Sequence, residues 1–206
     1  MPVLTRLVQG KKNPNRVNLY LDGVYAFSLS IDEVAKQGLK KDLKLSDPQV
    51  AHLKQVDEEE YIYVKILNFL SYRPRTTKEV RDRLWKYGIK DLSSQNQIID
   101  RLKSKGYLDD LVFAHWFIES RNTHRPRSIR MLTQELKAKG ISEEIISSVV
   151  GNISEEYTAI WRILSKKLGQ PRILEHNERS KIYAFLNRQG FAWDKVKEVV
   201  KKWESE

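Results

Sequence analysis

"HRPRSIRMLTQELKAKGI", residues 124–141, sets two arginines around a proline, then an apolar row, then a glycine followed by an isoleucine. Ile129, Leu132 and Leu136 recur at helical spacing and define a core face. Pro126 keeps Arg125 out of the helical region. Ser128 stands where a helix cap belongs, and Gly140 where a helix closes in a left-handed turn. The same order occurs in "YRPRTTKEVRDRLWKYGI" (72–89), without a gap and 52 residues earlier. Arg73-Pro74-Arg75-Thr76 lies over Arg125-Pro126-Arg127-Ser128, and Gly88-Ile89 over Gly140-Ile141. A third copy, "HNERSKIYAFLNRQGF" (176–191), keeps Ile182, Leu186, Gly190 and Phe191 in place but lacks Arg-Pro-Arg. Self-similarity at such a period marks a repeat architecture.

Working outward, the periodicity predicts three helices per copy. They fall at 58–72, 76–87 and 93–105; at 109–122, 128–139 and 142–151; and at 154–168, 176–189 and 192–204. Ahead of them, "VLTRLVQ", "RVNLYLDG" and "VYAFSLS" read as strands. "GKKNPN" and Asp22-Gly23 are turn signals, the latter of a tight hairpin. In "SIDEVAKQG", Ser30 and Glu33 form a capping pattern. In "SDPQVAHLKQV", Asp47 is the expected cap and Pro48 the first helical residue. The expected fold is mainly α: tandem three-helix repeats forming an elongated curved body, with a small N-terminal antiparallel β unit. Expected boundaries are 1–56 for the β unit and its helices, then repeats at 57–106, 107–152 and 153–206.

The chain has 206 residues and a formal net charge of +10. Residues 61–140 hold 17 Lys and Arg against 8 Asp and Glu, whereas residues 1–60 hold 9 of each. The excess therefore sits in the first two repeats, and localised positive charge points to a polyanion or an acidic protein face. Without cysteine there is no disulfide and no thiolate chemistry. No run reaches the roughly 18 apolar residues of a membrane span, and the first residues lack the apolar core of a secretory signal. A cytoplasmic, monomeric protein is the expectation.

Catalytic signals are lacking. The four histidines (His52, His115, His124, His176) are scattered, and there is no Gly-rich phosphate loop. Asp109-Asp110 and Glu143-Glu144 stand at helix starts, where carboxylates favour the dipole. No catalytic residue, metal or cofactor is expected.

The Arg-Pro-Arg corners are more informative. Each gathers two guanidinium groups, a hydroxyl and helix-start N–H groups, a set that suits an anion. A cation at a helix start with no anion beside it costs about 0.3–1 kcal/mol. Glu79 follows Thr76 by three and can offset the first corner. The first turn of the second, Ile129, Arg130 and Met131, holds no acid, so the second corner is the expected stronger anion contact. Arg130, Gln134 and Lys137 step along the polar side of that helix and continue to Lys139; no acid occurs between Arg121 and Gln134. The candidate binding residues are Arg73, Arg75, Arg83, Lys86, Arg121, Arg125, Arg127, Arg130, Lys137 and Lys139, with Trp85 as a candidate stacking surface. Phe113, Trp116 and Phe117 lie at core spacing.

"LSYRPRTTKEVRDRLWKYGI", "IIDRLKSKGYLDDLVFAHWFIESR" and "RPRSIRMLTQELKAKGI" together resemble the RecX family of RecA regulators. The link Gly106–Ala114, with the Arg-rich stretch that follows it, is a fairly specific element, whereas the Arg-Pro-x-Ser/Thr fragments alone are not. The resemblance implies tandem three-helix repeats and a non-enzymatic protein that binds the RecA filament on single-stranded DNA. It implies modulation, mostly inhibition, of recombinase, ATPase and co-protease activities by blocked extension or promoted disassembly, in DNA recombination, repair and the SOS response. DNA, single- or double-stranded, would be met through its phosphates. Two rivals are a stand-alone DNA-binding protein and a helical scaffold for an acidic partner.

Overall fold

The structure, a computed structural model, describes residues 1–11, 13–150 and 156–206. The expected helix ends at 151 and 154, the repeat boundary at 152/153 and Lys12 of the first turn lie outside the described residues. The chain divides into two compact units, Met1–Phe69 and Leu70–Glu206.

The first unit opens with an antiparallel sheet of β1 (Leu4–Gln9), β2 (Arg16–Leu21) and β3 (Val24–Ser30), in that order. Asp22 and Gly23 join β2 to β3 with φ of 48° and 85°. Two positive φ values are what a two-residue hairpin of matching twist requires. Leu4, Leu19, Phe27 and Leu29 are buried with Leu39, Leu45 and Leu53. A three-stranded sheet this small needs such a cover to be stable. Ser30 caps α1 (Ile31–Lys36) by accepting from the Glu33 N–H at 3.2 Å.

The following helix departs from expectation. A single 25-residue helix, α2 (Asp47–Ser71), replaces the two shorter segments. No proline or glycine occurs between Pro48 and Ser71 to break it. Its cap is Ser46 rather than Asp47. The Ser46 N–H donates to Gln49 Oε1 at 2.8 Å, and Ser46 Oγ accepts from the Gln49 N–H at 3.4 Å. This reciprocal box outcompetes a lone aspartate because it satisfies two N–H groups. Arg16 of β2 pairs with Asp57 of α2, fastening sheet to helix.

The second unit contains, among the described residues, α3 (Thr77–Lys86), α4 (Leu92–Ser104), α5 (Asp110–His124), α6 (Ile129–Ala138), α7 (Glu143–Val150), α8 (Glu156–Leu168), α9 (His176–Arg188) and α10 (Trp193–Ser205). α5, α6 and α7 share one core around Phe113, Phe117, Leu132, Leu136 and Ile146. α8, α9 and α10 share another around Ile160, Leu164, Leu186, Val199 and Trp203. The middle helices α3, α6 and α9 end alike. Gly88, Gly140 and Gly190 have φ of 96°, 81° and 86°. The next residue's N–H returns to the carbonyl five back: Ile89 to Leu84, Ile141 to Leu136 and Phe191 to Leu186, at 3.1, 3.1 and 3.3 Å. These are Schellman closures, and they bury Ile141 and Phe191.

Candidate polyanion-binding face

The two Arg-Pro-Arg corners begin α3 and α6. In both, the hydroxyl caps as expected. Thr76 Oγ1 accepts from the Glu79 N–H at 3.0 Å and Ser128 Oγ from the Met131 N–H at 3.2 Å. Both caps are fully buried.

The first helical N–H at each corner is taken by a carboxylate, which corrects the expectation of an open anion site. Thr77 N–H donates to Asp110 Oδ1 at 2.7 Å, and Ile129 N–H to Glu156 Oε1 at 3.0 Å. Each acid opens the first helix of the following repeat. A carboxylate there satisfies an orphan donor and complements the helix dipole, so each repeat plugs the one before it.

The middle helices also meet end to end. Lys139, at the close of α6, reaches Glu79 in the first turn of α3 at 2.8 Å. Gln189, at the close of α9, accepts from Arg127 through its side chain, and its carbonyl accepts from the Ser128 N–H at 3.2 Å. Gly190 packs on Ser128 and Met131, and Gly140 on Lys78. A carbonyl-rich helix end thus faces an amide-rich one. This arrangement explains cations at a helix start: Arg127 lies at the negative end of α9.

Several candidate cations are consequently held by acids. Arg73 makes a two-pronged pair with Glu79, 3.1 Å on each side, and its guanidinium lies 5.7 Å from the Trp116 ring centroid. Burial alone would raise the Glu79 pKa. Hydrogen bonds and charge from Arg73 and Lys139 outweigh it and lower the pKa to about 2. Arg121 meets Glu135 at 2.7 Å, and Arg127 lies 3.4 Å from the same carboxylate. The second corner is therefore compensated, contrary to expectation, by an acid in the second turn of α6 and by Glu156. Lys137 pairs with Glu143 at 2.5 Å, both solvent-exposed. At Arg75, burial and then the neighbouring Arg73 charge lower the guanidinium pKa.

The remainder face solvent. Arg125, Arg130 and Lys86 are exposed. Among the described residues none of the three has a carboxylate within ion-pair distance. Arg130, Gln134 and Lys137 form the expected exposed row along α6. Arg83 leans on Tyr87 at 5.9 Å, and Trp85 is 57% exposed. Phe113 and Phe117 are core, whereas Trp116 is only half-buried.

A cleft of about 530 Å³ opens beside the second corner, lined by Arg125 and Arg127 together with Arg162, Lys166 and Lys167 of α8 and Phe185 of α9. The cations of α8 are missing from the sequence-based set. Their signal was the spacing Arg162–Lys166, one turn apart on the same face of α8 with Lys167 beside them, but nothing local in the sequence ties α8 to the Arg-Pro-Arg corner. Among the described residues, no group of His, Cys, Asp or Glu is placed to hold a metal ion, and no helix is long and apolar enough to cross a membrane.

Tandem three-helix units, the second and third each capping a helix start of the one before, with exposed cations among the described residues, define a helical-repeat protein. Comparison with known proteins places it more closely. The N-terminal domain of the regulatory protein RecX matches residues 2–46, the first RecX three-helix domain residues 63–91 and the second residues 109–150. The regulatory protein RecX of Bacillus licheniformis is 35% identical over 95% of this chain and 75% of its own length. That of Bacillus subtilis is 32% identical over the same shares. A crystal structure of a regulatory protein RecX superposes with a TM-score of 0.75 at 23% identity, covering 98% of this chain and all of the other. The chain belongs to the RecX family of regulatory proteins.

Proposed function

We propose that this chain binds the RecA filament on single-stranded DNA and lowers its recombinase, ATPase and co-protease activities, without catalysis of its own. Membership of a family named for regulation supports the regulatory class. The observation that carries the reading to a nucleoprotein target is the exposed cation set, Arg125 and Arg130 above all, in a zone where basic residues outnumber acidic ones. Such a surface is suited to phosphate backbone rather than to base edges, because lysine and arginine dominate it. The repeats 57–106, 107–152 and 153–206 would act as successive footholds. A monomer laid across neighbouring recombinase subunits biases the filament only by binding one filament state better than another. Blocked extension or promoted disassembly follows if the favoured state is one that cannot grow.

The test is DNA-stimulated ATP hydrolysis by the cognate recombinase, titrated with this protein. A progressive fall in rate is expected. An unchanged rate, with the protein present in excess over recombinase, overturns the reading.

A further inference from the structure

The cleft beside the second Arg-Pro-Arg corner has a counterpart at the first, and the two differ in one respect. The first, of about 280 Å³, includes Asp109 in its wall. Among the described residues the second has no carboxylate in its lining at all. Where α5 sets the Trp116 ring against Arg73, α8 carries Arg162 at the matching place, two residues after the fully buried Ile160 and one before the buried Ile163.

Five cationic side chains line this one cavity, and they fall into two groups. Arg127 is pinned by Gln189 and Glu135, and Arg162 donates to the Asn122 carbonyl at 2.9 Å. These two are oriented by the protein. Arg125 and Lys166 are exposed and, among the described residues, have no acid within reach. Lys167 leans over the Phe185 ring at 4.0 Å. Like charges gathered in a concavity with an apolar wall raise the local potential and concentrate anions. Arg125, Arg162, Lys166 and Lys167 are exposed along it, so the potential they raise is open to an anionic ligand.

We propose that this cleft is a phosphate-binding site, with Arg125, Lys166 and Lys167 as its direct ligands and Arg127 and Arg162 as the fixed cationic wall. Arginine offers a planar fork to phosphate oxygens and lysine a point charge. The assignment rests on the reading that the chain meets DNA phosphates. It goes further by placing the contact between the second and third repeats, on cations of a repeat that lacks the Arg-Pro-Arg signature. The phosphate could belong to a polynucleotide strand or to a free polyphosphate.

The probe is a fluorescein-labelled oligothymidylate of about 20 nucleotides, followed by anisotropy at low salt with the full chain. Lys166→Ala/Lys167→Ala is compared with Lys40→Ala/Lys41→Ala, which removes the same charge from exposed positions of the first unit. The cleft pair is expected to weaken binding by about tenfold or more, and the control by less than about threefold. Equal weakening, or none, overturns the site. Inorganic tripolyphosphate distinguishes the two sources: displacement of the strand supports a site for any phosphate, and failure to displace it supports a site that requires a continuous backbone. If wild type lowers recombinase ATP hydrolysis but the cleft pair binds the strand normally, the cleft is wrong and the regulatory reading stands. If the cleft binds the strand and recombinase is unaffected, the site stands and the regulatory reading falls.

Discussion

Lys139 Nζ lies 2.8 Å from Glu79 Oε1, across 60 residues of sequence. The pair joins the end of α6 to the start of α3, and Arg73 completes a triad around the same carboxylate. Charge at a repeat junction is thereby spent on holding neighbours in register, and what remains for a partner is the set without acids.

The triad predicts a stability loss. Glu79→Gln leaves Arg73 and Lys139 facing each other without an anion, and about 1–2 kcal/mol of stability is expected to go. Urea unfolding monitored by circular dichroism should show an earlier midpoint with similar slope. An unchanged midpoint would mean that the triad is solvated and energetically idle.

The same carboxylate predicts a pH dependence. Glu79 titrates at about 2 when folded against an ordinary 4.5. A depressed folded pKa contributes stability above the ordinary value and loses it as pH falls from 4.5 towards 2. Glu178, also held at about 2, chiefly by its hydrogen bond from Arg172, titrates in the same window. Glu79→Gln should therefore flatten, not abolish, the acid limb of a stability–pH curve. An identical limb in both proteins would assign the loss to other groups.

Two glycines that look alike in sequence should respond differently to alanine. Gly88 has open space where a Cβ would stand, so Gly88→Ala costs only the left-handed backbone, about 1–2 kcal/mol. At Gly190 that Cβ would lie 2.4 Å from Met131 Cγ and 2.6 Å from Ser128 Oγ. Overpacking adds about 1–3 kcal/mol there. Thermal unfolding should rank Gly190→Ala well below Gly88→Ala, and equal melting temperatures would refute the end-to-end junction of α6 and α9.

Charge reversal on the basic face should separate binding from folding. Arg130→Glu touches a side chain with no acid partner among the described residues, so filament binding is expected to fall several-fold while helical content and unfolding midpoint stay put. Arg127→Glu should lower both, because that guanidinium is held by Gln189 and Glu135. Normal inhibition of recombinase by Arg130→Glu would remove the α6 face from the interface.

Salt is the last lever. Phosphate contacts release counter-ions, so the logarithm of the binding constant should fall linearly with the logarithm of salt concentration, with a slope near −0.7 per neutralised phosphate of a single strand. A flat response between low and moderate salt would point to an apolar docking surface instead.

What the sequence determined by itself is local. Period 3.6 gave the helices, proline by keeping the residue before it out of the helical region gave the corners, and glycine with its access to positive φ gave the Schellman ends at 88, 140 and 190. These depend only on residues within a few positions, so repetition made the helices and their glycine ends legible three times and the proline corners twice. The 25-residue run of α2 is not legible as one element for a local reason too: two helical segments with no proline or glycine between them continue as a single helix. Which cations remain available was decided only by the tertiary structure. The acid-free interval from Arg121 to Gln134 suggested an open site, yet Glu135 folds between Arg121 and Arg127, and Asp110 and Glu156 arrive from the next repeat. An ion pair depends on a separation of a few ångströms across helices, and that distance exists only once the repeats have packed.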